Sequence, residues 1–560
     1  MYSKLQTMKT LFAILLLASS PLAAEVAGPM VPGVGNMLQQ IAPLTPPASS
    51  PRGAGQLIVQ VESAKLPQSA PFLVNHFQIT GNTLFDTTTL HSLVADAEGQ
   101  NITLTQLGEL AARISSYYQN NHYPLARAII PAQTIVAGVV RIKVIEASYG
   151  KVSLDNHSRV KDALLQAALV TLHSGQIIEE TELDNAFRLI SNIPGVVLDA
   201  TFKAGERIGT SDLLVSTTPG PMFTGNMNLN NYGNRYTGIA NISGTVNIIN
   251  PLRHGDVLSA HGLSSGRKMN YASLSYETLL NGQGARLGGA YSVMSYTLGE
   301  PLEAVNGNSR VASLWATHPL LLSRDVNLYA RLQFNRLQLR DHIDDTAIKT
   351  DRSLDNWALS LTGDASDEFL SGGINTWSLG WTAGRVGFDN ADAQVTDAAT
   401  AGTQGRYSKW NASLTRLQRL NPKNDLYLAF SGQWANGNLD ASQKMSVGGP
   451  SSVRSYGRSA LSGDTVYMAT AELRHALGAA WGGQWLAVAF VDAAHVTVNQ
   501  NTWVEGTNST TLSGAGIGVS WTRPNQWLVK ASFAKRTDVA STLVAGNASS
   551  RVWVEISKVF

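Results

Sequence analysis

Beyond Pro219-Gly220 the chain alternates apolar and polar residues with a period of two, again and again to its end, and that period belongs to strands. Phe223, Gly225, Met227 and Leu229 alternate with Thr224, Asn226, Asn228 and Asn230. Leu328, Ala330, Leu332 and Phe334 stand opposite Arg331, Gln333 and Asn335, and Trp527, Val529, Ala531 and Phe533 repeat the theme near the end. Segments of about ten residues, apolar outward and polar inward, are what a barrel with lipid outside and water within requires. At about 20 residues per strand plus turn, residues 220–560 predict a transmembrane β-barrel of about sixteen antiparallel strands. A soluble sandwich would alternate too. The helix-free reading of this region and Trp or Tyr near many strand ends favour the membrane.

The N-terminus agrees. Lys4 and Lys9 precede the apolar run Leu11 to Ala18 and the small residues Ala23 and Ala24, which is the layout of a cleaved signal peptide over residues 1–24. The apolar run falls well short of the ~20 residues of a spanning helix. Charged residues are 15% of the chain and the formal charge is +2, so no basic face is expected and nucleic acid is not a predicted partner. Cys is absent, which removes disulfides, thiolate metal sites and cysteine nucleophiles, and suits an oxidising periplasm.

Residues 25–71 carry Pro43, Pro46, Pro47 and Pro51 among Gly, Ala and Ser, and read as a linker through which no packed element runs. One or two helical turns over Asn36 to Ile41 are the exception. From Phe72 the texture becomes strand, helix, helix, strand, strand. Phe72 to Ile79 reads as extended, Thr87 to Ala97 and Thr105 to Asn121 as helices, and Ala126 to Ile130 and Val139 to Ile145 as strands. That order recurs from Lys151, with helices near Val160 to Leu172 and Thr181 to Ser191 and strands Val196 to Lys203 and Asp212 to Thr217. Two small α+β modules, 72–147 and 148–219, are expected.

Several motifs now carry a family resemblance. Asn120 to Gln133, ending in Pro131-Ala132-Gln133 with Gly138 before the next strand, resembles the first POTRA module of the TpsB transporters of two-partner secretion, relatives of the BAM-type insertases. Asn192 to Val196, Gly209 to Leu213, Asn231 to Gly238 and Asn250 to Asp256 match the same family. Val453-Arg454-Ser455-Tyr456 is similar to the tip of the family's sixth extracellular loop, here 440–464, with Ser455 in place of a Gly that enters φ > 0 freely. Phe490-Val491-Asp492 resembles the strand motif whose Asp meets the loop Arg, and alternation puts Phe490 and Asp492 on one face. Phe560, closing a strand with Val552, Val554 and Ile556, resembles the terminal signature read by the barrel-assembly machinery, with Lys558 departing from the usual apolar residue.

The resemblance implies an outer-membrane location with the modules in the periplasm. It implies export of one unfolded haemolysin- or adhesin-like exoprotein, captured by the POTRA modules, with lipid around the barrel and no ATP. A short helix on a tether is compatible with a resting plug. Exposed sheet edges in small α+β modules can accept an extended chain. A barrel-assembly insertase, a passive porin and an outer-membrane hydrolase are the rivals.

Chemistry is not expected. Gly262 to Gly266 fits the nucleophile-elbow spacing around Ser264, but a β-like segment follows where that motif needs a helix. The His residues show no i, i+4 pair on a helix, so no metal or other cofactor is predicted. Gly514 to Gly518 lies in an alternating strand, where glycines relieve crowding more often than they bind phosphate.

Overall fold

The computed structural model describes residues 32–41, 57–59, 69–539, 541–544 and 548–560. The signal-peptide reading and most of the linker lie outside them.

In the first module a three-stranded sheet places Val139–Ile145 between His76–Thr80, parallel to it, and Arg127–Ile129, antiparallel. Alternation along Val139–Ile145 buries Val140, Ile142 and Val144. Against them lies Leu104–Asn120, started by a Thr103/Gln106 capping box and burying Leu107, Leu110, Ala111, Ile114 and Tyr118. Gln133 works as a piece of backbone: its side chain donates to Arg141 O at 2.8 Å and accepts from Arg141 N at 2.7 Å. The extended reading of Phe72 to Ile79 needs correction. The strand breaks at Asn75, and Phe72–Val74 leaves to pair with Gln100–Ile102, a strand the sequence reading omitted.

The second module pairs Thr210–Pro219 with Val196–Ala204 antiparallel and with Ser148–Asn156 parallel, under helices Asp162–Ala168 and Glu180–Ser191. A second correction falls here. Leu57–Val59, inside the proline-rich stretch, adds as a parallel strand to the free edge of Val196–Ala204. The prolines flank this aliphatic triplet and do not interrupt it, so it can fill an edge that needs only three pairings.

Sixteen antiparallel strands close the barrel. They run from eight residues (Phe223–Asn230) to twenty (Ile348–Asp367), so the expectation of ten-residue segments holds only for the shorter ones. Leu332, Leu359, Trp381, Trp410 and Trp434 are successive cross-strand partners over five strands, all on the outer wall. This is an apolar belt built by register. On the inner wall, Arg331, Gln333, Asn335 and Asn356 form a hydrogen-bonded ladder. The long connection after Gly373–Phe388 contains helix Ala391–Ala399, which corrects the helix-free reading. Asn390 caps it through Ala393 N, and Asp397 ties it back to Thr403 and Gln404.

The seam joins Phe223–Asn230 to Ser550–Val559 through five residue pairs, Asn226↔Val559 to Asn230↔Glu555. Phe560 adds two more backbone bonds: its O accepts from Gly225 N at 2.8 Å and its N donates to Gly225 O at 3.1 Å. Lys558 lays its ammonium 5.1 Å from the centre of the Trp527 ring, which accommodates a cation beside the belt.

Candidate functional site

Among the described residues, two segments of the chain enter the lumen. The first is the connection between Asn424–Ala435 and Thr465–Ala480, which carries a small hairpin, Met445–Val447 with Leu461–Gly463. The strand before it ends at Ala435, four residues earlier than the Leu439 expected from sequence. At its tip Val453, Ser455 and Tyr456 are buried.

Arg454 reaches the inner wall. Its Nε donates to Asp492 Oδ2 at 2.8 Å and its Nη2 to Oδ1 at 2.7 Å, a forked pairing, while Nη1 donates to Glu472 Oε1 at 2.7 Å. The guanidinium lies 3.4 Å from the centre of the Phe490 ring. Phe490 and Asp492 share the buried face of Gly483–Thr497, with Val491 exposed between them. Thr470 donates to Asp492 Oδ1 at 3.0 Å, and Arg474 neutralises the other oxygen of Glu472 at 2.6 Å. Arg454 is 11% exposed and Asp492 1%, so this cluster is a buried pairing whose partners cannot be removed singly without leaving a charge.

The flanking residues complete the fit. Arg454 O accepts from Trp553 Nε1 at 2.7 Å, and Tyr456 OH donates to Asp538 Oδ2 at 2.7 Å beneath Arg536. Ser455 is not among the residues with positive φ, so replacing Gly here demands no left-handed turn. Its hydroxyl donates to Ser513 O at 3.1 Å. Gly514 and Gly516 make the approach possible: a Cβ on Gly514 would collide with Ser455, and one on Gly516 with the Phe490 ring.

The second segment is helix Val34–Leu38, which starts two residues before the turns expected over Asn36 to Ile41 and overlaps them at Asn36 to Leu38. Val34 and Met37 pack among Met269, Tyr296, Leu339, Leu354 and Tyr407 on the inner wall. Asp341 Oδ1 accepts from Val34 N at 2.7 Å and from Tyr296 OH at 2.5 Å. Arg352, 6% exposed, bridges Asp341 Oδ2 at 2.8 Å and the loop's Asp440 at 2.6 Å. Gln39 donates to Ala441 O at 2.6 Å and also bonds Lys444 O and Ser446; Arg458 bonds Gln40 O. Gly35 lies so close to the backbone at Ser442 that a Cβ there would clash. At the loop base Lys444 pairs with Asp464 at 3.1 Å. Sequence reasoning found the Arg454 cluster through its motif and missed this second set, whose members lack a local pattern.

Among the described residues the Ser264 hydroxyl bonds to near neighbours, Asn270 at 2.7 Å and Gly266 at 3.1 and 3.3 Å, at the end of a strand.

A sixteen-stranded barrel with an apolar belt, filled by its own helix and inturned loop and preceded by two small α+β modules, defines an outer-membrane secretion barrel. The family model for haemolysin secretion/activation proteins ShlB/FhaC/HecB matches residues 209–521, and the ShlB-type POTRA domain model matches 72–147. The chain belongs to the haemolysin secretion/activation family. It is 25% identical over 485 residues to the heme/hemopexin transporter protein HuxB of Haemophilus influenzae strain 86-028NP, covering 85% of this chain and 86% of that protein. To the outer membrane transporter CdiB of Escherichia coli it is 22% identical over 504 residues, covering 87% and 80%. The solved structure of CdiB from Escherichia coli superposes with a TM-score of 0.66 at 19% identity, covering 89% of this chain and 92% of that one. BamA from Haemophilus ducreyi lacking POTRA domains 1–3 reaches 0.53 at 14%, covering 87% and 100%, a likeness of fold.

Proposed function

We propose that this chain exports one unfolded partner protein, a large haemolysin- or adhesin-like exoprotein, across the outer membrane by two-partner secretion. In this reading the two modules capture the partner in the periplasm. The loop cluster of Val453, Arg454, Ser455 and Tyr456 with Phe490 and Asp492 holds the lumen in a transport-competent state, and helix Val34–Leu38 is the resting plug. The observation that carries it is the pair of intralumenal segments held by hydrogen bonds and ion pairs, which fill a lumen that a passive porin keeps open as a water-filled channel. The outer belt meets lipid, and Phe560, completing the seam, is the residue the assembly machinery reads. The reading includes no enzymatic step, no cofactor and no nucleic acid.

The test is secretion of a large exported protein encoded beside this chain. Cells carry the intact chain, a chain without residues 72–219, or Arg454→Ala, with barrel level checked each time. Export by the intact chain and failure of both inserted variants supports the proposal. Export that continues without the chain overturns it and moves a porin or insertase role ahead.

A further inference from the structure

Folding of the first module gathers three residues that chain spacing does not mark. His76 opens the edge strand His76–Thr80, His91 sits in the helix Thr87–Ser92, and Glu98 follows the short turn Ala95–Ala97. Glu98 Oε1 lies 2.9 Å from His76 Nδ1 and 2.9 Å from His91 Nε2. The same oxygen accepts from Phe77 N at 2.8 Å. The two imidazole rings lie with centroids 5.4 Å apart and their planes tilted by 38°. One ligand atom from each residue falls within 4.8 Å of the others.

The crowding on Glu98 Oε1 is what points to a ligand. A carboxylate oxygen offers about two lone pairs, and here three donors converge on one. Both imidazoles must also carry their proton on the ring nitrogen facing the carboxylate. A divalent cation set between the nitrogens and the carboxylate relieves both demands, because it takes neutral imidazole lone pairs and leaves Phe77 N as a single donor to the oxygen. Two imidazole nitrogens and one carboxylate oxygen form a mixed N/O set suited to Zn²⁺, with bond lengths of about 2.0–2.2 Å that require only small side-chain shifts. Three protein ligands leave a fourth position open. His76 has a side chain 57% exposed, so an ion can enter from solvent.

We propose that His76, His91 and Glu98 form a Zn²⁺ site on the periplasmic face of the first module. The ion pins the edge strand His76–Thr80 to the helix Thr87–Ser92 and the segment behind it.

The test uses the full-length chain purified in detergent without a polyhistidine tag. Zn²⁺ is titrated calorimetrically, and Co²⁺ is added as a visible probe. The intact chain should bind one more Zn²⁺ per chain than either His76→Ala or His91→Ala and show Co²⁺ bands in the visible that both variants lose. Glu98→Gln keeps an oxygen for Phe77 N and removes the anionic ligand, so it should weaken binding at least tenfold without unfolding the module. Equal Zn²⁺ uptake and equal Co²⁺ spectra in the intact chain and all three variants would overturn the site. A loss in the His variants that Glu98→Gln does not share would overturn the three-ligand assignment.

Discussion

Val34 and Asp341, 307 positions apart, are joined by a 2.7 Å hydrogen bond from the Val34 amide to Asp341 Oδ1. The first turn of the lumen helix is thus held by a wall carboxylate, and the same carboxylate is locked by Arg352, which also holds Asp440 of the inturned loop. Helix and loop share one clamp. Asp341→Ala leaves the Val34 amide without its acceptor and should weaken docking by about 1–3 kcal/mol, roughly 5- to 150-fold in the undocked population. Currents across planar bilayers should then show more frequent openings than the intact chain. Unchanged traces would mean that the helix is not what blocks the pore.

Arg454 is the corresponding anchor at the loop tip. Removing it strands the Asp492 charge at the wall and leaves Glu472 to Arg474 alone, and breaking a buried pair in this way costs about 3–5 kcal/mol locally. Arg454→Ala should abolish secretion while leaving the barrel inserted. Arg454→Lys keeps the charge but loses the fork and the flat contact with Phe490, and should secrete at an intermediate level. Full secretion by both variants would remove the loop from the transport cycle.

What was legible in the sequence followed from local period. Val140, Ile142 and Val144 in one strand, and Leu107 to Tyr118 along one helix, declare their buried faces because neighbours in the chain set the pattern. Arg454 and Asp492 were legible as motifs. Leu57–Val59 was not, since a three-residue edge strand has too few positions to show a period and its partner lies far along the chain. Helix Ala391–Ala399 was hidden in a loop whose capping residue, Asn390, is also an ordinary turn former. The link from Arg352 to Asp440 depends on the loop folding into the barrel, and the His76–His91–Glu98 cluster on folding of the module, which no spacing rule contains.

Glu146 makes the first module acid-sensitive. Partial burial pushes its carboxyl up, but hydrogen bonds from Leu84 N, the Thr83 hydroxyl and amide, and Tyr118 OH outweigh this and hold it below its ordinary value of 4.5. A carboxyl depressed in the folded state adds stability above its unfolded pKa, and the gain is lost as pH falls through the lower folded value. Urea titration read by proteolysis within residues 72–147 should show a module more stable at about pH 7 than at about pH 4. Glu146→Gln should lose about 1–3 kcal/mol at neutral pH and flatten that dependence. Equal pH slopes in both chains would sink the assignment.

Gly514 and Ser455 test the loop position by steric complementarity. A Cβ on Gly514 would occupy the space of the Ser455 side chain, so Gly514→Ala should push the loop tip off the wall, lengthen the Arg454–Asp492 contact and reduce secretion. Ser455→Gly vacates that space and forfeits only the hydrogen bond to Ser513 O, a loss of about 0.5–1.5 kcal/mol. The double variant should therefore secrete better than Gly514→Ala alone, with a coupling of about 0.5–3 kcal/mol in a cycle scored by loop protection from protease. Rescue of this kind requires the two residues to touch in the working protein. Simple additivity of the two effects would mean that the loop tip sits elsewhere during function, and that the Arg454 cluster describes a resting state which export does not use.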